Sequence, residues 1–198
     1  MVESSTEKII NEGEQSLKSE IIEILIYVLI SAAIIFGIRA FVVQHVRVEG
    51  TSMVPTLQDS EHLLVEKLSY KRHDANRYDI VVFNPENEDD DVYFVKRIIG
   101  LPNETVWIED GKIHIQKDSS NEEEILDENY GSGFTDAGEA GQKIHIGKDE
   151  YFVLGDNREN SRDSRDSTVG LVKKDSIMGR AWSVIWPLNK FGSIEKSK

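Results

Sequence analysis

Thr105-Val106-Trp107-Ile108-Glu109-Asp110-Gly111-Lys112-Ile113-His114-Ile115-Gln116 reads as two strands around a two-residue turn. Two strand-like runs flank Asp110-Gly111, and an Asp-Gly pair between two strands is a strong hairpin signal. Working outward, short strand-like runs recur between turn residues. They are Glu61 to Lys67, Asp79 to Phe83, Asp91 to Gly100 and Glu150 to Leu154. Many short strands with such punctuation predict a mainly β domain. Only Ile21 to Val43 and Val172 to Met178 invite a helix. Tyr70 to Asn76 reads as a basic-polar loop and Asn84 to Asp90 as an acidic turn. Lys117 to Gly141 is rich in Glu, Asp, Ser and Gly; it reads as a charged, partly mobile excursion with a solvated surface and no chemistry.

The 198 residues allow one ordinary domain plus an anchor. A net charge of -13 argues against a nucleic-acid binder and gives the surface no general attraction to anionic lipid. The absence of cysteine removes disulfides, a catalytic thiol and thiolate metal sites. The five histidines are scattered, none paired at helical metal-ligand spacing, so neither metal nor cofactor is expected.

Residues 1 to 20 are polar and read as a tail. Residues 21 to 43 are strongly apolar, with an uncharged centre from Ile24 to Ile38 between Glu23 and Arg39. A membrane anchor is the favoured expectation for 21 to 43. A signal-peptide core and a buried soluble helix are the competitors; the acidic residues upstream argue against the first. Lys8 and Lys18 before the segment balance Arg39 and Arg47 after it, so charge alone leaves the orientation open.

Three stretches carry candidate chemistry. In Val48-Glu49-Gly50-Thr51-Ser52-Met53-Val54-Pro55-Thr56-Leu57, a strand end runs into a Gly-permitted, Pro-stiffened connection that would expose Ser52. A serine there is more often a turn former. In Asp91 to Gly100, period-2 geometry puts Lys96 between Phe94 and Ile98 on one face. Desolvation there would lower the lysine pKa and yield the neutral amine that a serine nucleophile needs; snorkelling at a strand edge is the commoner fate. The third is Gly155-Asp156-Asn157-Arg158-Glu159-Asn160-Ser161-Arg162-Asp163-Ser164-Arg165, a polar loop after a strand.

With these three motifs in this order, Arg77-Tyr78-Asp79-Ile80-Val81-Val82-Phe83 between the first two, and Gly179-Arg180-Ala181 before Trp186-Pro187, the chain resembles the type I signal peptidases from about Phe41 to Pro187. The resemblance implies a signal-peptidase-like β-strand catalytic domain (44 to 198) with one N-terminal transmembrane helix, in the cell membrane. It implies a cytoplasmic tail and an extracytoplasmic catalytic domain. The implied activity is removal of signal peptides from exported preproteins at Ala-x-Ala-like sites, without cofactor, with Ser52 as nucleophile and Lys96 as base. It further implies that Ser161 bonds and orients the lysine, that Asp163 and Arg165 form an ion pair beneath the site, and that Asp156 holds the loop, with Arg97 as its candidate partner; loop capping alone is the competing reading for these residues, on equal terms for Asp156. Val48, Met53 and Val95 would wall the substrate pocket. Where some members carry a serine that helps the oxyanion hole, this chain has Gly50. A non-catalytic anchored paralogue and a soluble self-cleaving Ser-Lys regulator remain as alternatives; the joint presence of Ser52 and Lys96 opposes the first, the acidic tail and anchor the second.

Overall fold

The computed structural model describes residues 20–37, 42–85, 89, 92–120 and 122–194, in two units split at Val43. In the first, helix α1 (Glu20–Gly37) is 18 residues long, and its apolar side chains, Leu25, Leu29 and Phe36 among them, are exposed all round. Such a helix rises about 27 Å, close to the thickness of a hydrocarbon core. It is long and apolar enough to cross a membrane. The apolar segment expected to run to Val43 is helical only to Gly37; 38–41 lie outside the described residues, and Val43 already belongs to a strand. The tail 1–19 and most of the acidic turn (86–88, 90) also lie outside them.

The second unit is mainly β. One sheet orders β1 (Val43–Arg47), β2 (His62–Glu66), β11 (Ile177–Trp186), β3 (Ile80–Phe83), β4 (Phe94–Gly100), β9 (Glu150–Leu154) and β10 (Val172–Lys173), with β12 (Gly192–Ser193) on β11. The smaller sheet orders β7 (Glu123–Ile125), β6 (Lys112–Lys117), β5 (Glu104–Glu109) and β8 (Ile144–His145). Every strand pair is antiparallel.

Sequence pattern explains the layering. The run Ile80-Val81-Val82-Phe83 has no alternation because β3 is covered on both faces, and all four residues are buried. Val82 packs with Leu63, Val65 and Met53, while Val81 and Phe83 pack with Ile98 and Tyr151. The β5–β6 hairpin forms as read, with Asp110 and Gly111 both at positive φ (49° and 73°), the backbone that a tight primed turn demands. Its Val106, Ile108, Ile113 and Ile115 meet Phe152 and Ile99, joining the two sheets.

Three expectations need correction. Within Tyr70–Asn76, a short helix α2 (Ser69–Arg72) starts what read as loop. The possible helix at Val172–Met178 is instead β10, a 3-10 turn (Lys174–Ser176) and the start of β11; apolar residues at 172 and 177 are pinned by strand pairing. The excursion 117–141 is no mere solvated surface. It adds β7 to the smaller sheet and buries Leu126, Tyr130, Thr135 and Ala140.

Phe152 is fully buried where the sheets meet. Phe152→Ala is expected to lower unfolding stability by about 3–5 kcal/mol, read from the denaturant midpoint of the full chain in detergent.

Candidate active site

Ser52 sits in a run of turns between β1 and β2, half-buried. Val48 leaves β1 with its N–H on Glu61 O (2.8 Å), and its carbonyl accepts from Ser60 N–H (2.9 Å), closing the excursion at its base. Met53 and Leu57, each 1% exposed, pin the loop into the core. The Leu57 N–H donates to Met53 O at 2.9 Å. So Ser52 rides on a connection stiffened by its own apolar neighbours.

Lys96 lies in the middle of β4, opposite Val81 of β3, and is 4% exposed. Its Nζ is 2.7 Å from Ser52 Oγ, 3.2 Å from Val95 O and 5.2 Å from the Phe94 ring centre. A neutral amine has two N–H donors and one lone pair. Val95 O can take a donor while the lone pair faces the serine hydroxyl. Desolvation lowers the Lys96 pKa to about 8, against an upward pull from Asp163.

The loop after β9 closes over the Ser52 turn. Asn157 donates its N–H to Ser52 O (3.0 Å) and its Nδ2–H to Thr51 O (3.1 Å). Gly155 makes this approach possible: a Cβ there would lie 2.5 Å from Ser52 O and 2.1 Å from Ser161 Oγ. Asp156 takes a bidentate pair from Arg97, Nε to Oδ1 at 2.9 Å and Nη2 to Oδ2 at 2.7 Å, with both side chains fully buried. Thr56 Oγ1 donates to the same carboxylate at 2.5 Å, tying Asp156 to the Ser52 turn. Asp163 likewise holds Arg165 bidentately at 2.8 Å twice, and accepts the Gly155 N–H at 3.0 Å.

Ser161 corrects an expectation. Its Oγ is buried and makes no hydrogen bond, so the expected bond to Lys96 is not formed. The side chain instead packs against Gly155, whose missing Cβ leaves room for it. A cleft of about 540 Å³ opens in front of the pair, lined by Val46–Glu49, Ser52, Met53, Val92–Lys96 and Arg162. It brings Val48, Met53 and Val95 together as one apolar wall. Arg162 stacks over Phe94 at 4.7 Å on its rim. Among the described residues, no group of three or more His, Asp and Glu side chains could hold a metal ion.

Sequence reading missed roles for Thr56, Asn157, Arg158 and Arg162. All four stand inside the stretches quoted for their motifs, and which way each side chain turns is decided by loop geometry. Glu128, paired with Arg158, stands in a stretch set aside as solvated and gave no signal.

The site thus brings a serine hydroxyl into contact with a buried amine, with two closed ion pairs behind them. The family description "signal peptidase, peptidase S26" matches residues 21–186. The chain belongs to the signal peptidase family. It is a hydrolase, a serine endopeptidase. Signal peptidase I P of Bacillus subtilis subsp. natto is 37% identical over 181 residues, 90% of this chain and 96% of that one. A probable signal peptidase I-2 of Synechocystis is 40% identical over 162 residues, 79% of this chain and 69% of that one. Signal peptidase IB of Staphylococcus aureus is 33% identical over 185 residues, with 88% and 94% covered.

The buried Arg97 gives this signal peptidase scaffold a sensitive point. Asp156→Ala leaves that guanidinium without its carboxylate, and is expected to cost about 3–5 kcal/mol, read by thermal or denaturant unfolding.

Proposed function

We propose that the chain is a membrane-anchored endopeptidase that removes signal peptides from exported preproteins through a Ser52–Lys96 dyad. The observation that carries this reading is the 2.7 Å contact between Ser52 Oγ and the buried Lys96 Nζ. Neutral Lys96 accepts the hydroxyl proton as Oγ attacks the scissile carbonyl. The ammonium so formed then protonates the leaving amine, and the acyl group stays on Ser52. The amine, neutral again, activates a water that releases the acyl group. No cofactor takes part.

The Ser52 N–H is the proposed oxyanion donor. At Gly50, φ is +89°, and its N–H donates to Asp59 Oδ1 at 2.8 Å. A second donor therefore comes from backbone or water. The substrate lies extended in the cleft, presenting alternate side chains to one face. Val48, Met53 and Val95 accept the small residues one and three before the cut, in keeping with an Ala-x-Ala preference. Asp156, Asp163 and Arg165 hold the loop that backs the dyad. Ser161 fills the space beside Gly155 and belongs to that support.

The domain plan follows from the same reading. The N-terminal end lies in the cytoplasm, α1 (Glu20–Gly37) is the single membrane span, and the β unit from Val43 is the extracytoplasmic catalytic domain. Lipid around α1 keeps the enzyme where exported chains emerge.

Cleavage of a purified preprotein by the full chain in detergent tests the dyad. Ser52→Ala is expected to abolish turnover with the fold intact. Lys96→Met and Lys96→Arg are both expected to lose about 10²–10⁴-fold or more in kcat, because one lacks the base and the other cannot deprotonate. In the wild type, kcat/KM should rise with pH and level off above about 8, as Lys96 loses its proton. An active Lys96→Arg enzyme contradicts the mechanism.

A further inference from the structure

We infer that Asn157 is a positioning residue that aims the oxyanion donor of Ser52, and that the turn 128–135 of the charged excursion holds Asn157 in place. This rests on the dyad mechanism proposed above.

The starting point is the peptide between Thr51 and Ser52. It is planar and trans, so its carbonyl and its N–H point in opposite directions from one rigid unit. The carbonyl end belongs to Thr51; it accepts the Val54 N–H from within the turn (3.1 Å) and Asn157 Nδ2–H from outside it (3.1 Å), the contact that fixes it against the 155–158 loop. The N–H end belongs to Ser52. Fixing Thr51 O therefore fixes the direction of the Ser52 N–H, on the side away from the 155–158 loop. The next peptide is held as well, by Asn157 N–H on Ser52 O at 3.0 Å. One residue thus clamps both peptide planes that flank the nucleophile. Donors that stabilise an oxyanion act only when already aimed, and a shift of about 1 Å at a reacting group can cost about 10²-fold in rate.

Asn157 has its own anchor in the excursion. Ser132 forms a parallel bridge to it: the Ser132 N–H donates to Asp156 O at 2.8 Å and the Arg158 N–H to Ser132 O at 3.0 Å. Ser132 Oγ also reaches Val54 O at 3.3 Å, on the nucleophile turn itself. Arg158 is locked from the other side. Its Nη1 and Nη2 donate to Glu128 at 2.6 and 2.7 Å, and its Nε donates to Gly155 O at 3.1 Å. Tyr130 donates its hydroxyl to Glu128 at 2.5 Å, and Arg97 lies 4.0 Å over its ring. A pair this buried (2% and 13% exposed) is weak as a source of stability but defines geometry well. The excursion is thereby a working part of the active site, without touching substrate.

The test compares steady-state cleavage of a preprotein by full-length variants in detergent. Asn157→Ala removes the Nδ2 donor but keeps the backbone bond to Ser52 O. Asn157→Asp keeps the side-chain shape and removes the donor. Both are expected to lower kcat by about 10²-fold, the cost of one oxyanion donor. KM should stay within about twofold, since the interaction is made in the transition state. The acid limb of kcat/KM in Asn157→Ala should stay near pH 8, because Lys96 keeps its surroundings. Glu128→Gln should lower kcat in the same pattern by a smaller factor, and Glu124→Gln, exposed on β7, should leave kcat unchanged. Wild-type kcat in either Asn157 variant overturns the inference, as does a rise in KM at constant kcat. Turnover by Ser52→Ala would instead overturn the dyad reading, so the two failures are distinguishable.

Discussion

A primary amine serves as a base near neutral pH only where water is kept from its ammonium form. In the proposed mechanism that constraint falls on Lys96. On β4 it is paired with Val81 of β3, one residue before the pairing of β4 with β9 begins at Arg97. Burial to 4% exposure follows, and with it the downward shift that outweighs every charge nearby. Ser52 comes to the lysine, which as an interior strand residue cannot move to meet it. The turn after β1 does so, pinned by Met53 and Leu57 in the core and gripped from behind by Asn157. Continuous apolar runs in β3 and β9 are thus conditions of the chemistry as well as of the packing.

How much of this the sequence reveals depends on the range of each interaction. The Asp110-Gly111 hairpin is legible because its determinants are adjacent residues with a specific backbone demand. Lys96 between Phe94 and Ile98 is legible because strand alternation is strict over three residues, and Ser52 because glycine and proline punctuate its turn. Nothing local marks Glu128. Its charge reads as solvent-seeking, and only Arg158, thirty positions on, turns it inward. The same holds for Tyr130, which looks like one aromatic in a polar tract until Arg97 is laid over its ring. At 172–178 the polar residues Lys174, Asp175 and Ser176 form a 3-10 turn between strands whose pairing partners, Tyr151 and Phe83, are far away in the chain. Ser161 fails differently. Its place in the motif is legible, but that its hydroxyl packs against Gly155 rather than bonding an amine is set by the loop's three-dimensional path.

The density of charge around the proposed base has a physical explanation. Asp163 and Asp156 pull the Lys96 pKa up, while Arg162 and Arg165 push it down. Asp156 is closed by Arg97 and Asp163 by Arg165, each bidentately and out of water. A carboxylate so paired projects a dipole, whose field falls off faster than that of a single charge, so the opposed influences largely cancel at Nζ and desolvation decides the outcome. An aspartate without its arginine would pull the Lys96 pKa up more strongly, because an unpaired charge in a low-dielectric interior acts at longer range. Replacing the pairs with apolar side chains would also keep Lys96 neutral. It would, however, forfeit the directional grip of Asp163 on Gly155 N–H and of Asp156 on Thr56. Closed ion pairs meet both requirements: they position the nucleophile turn through hydrogen bonds while adding little net charge beside the amine.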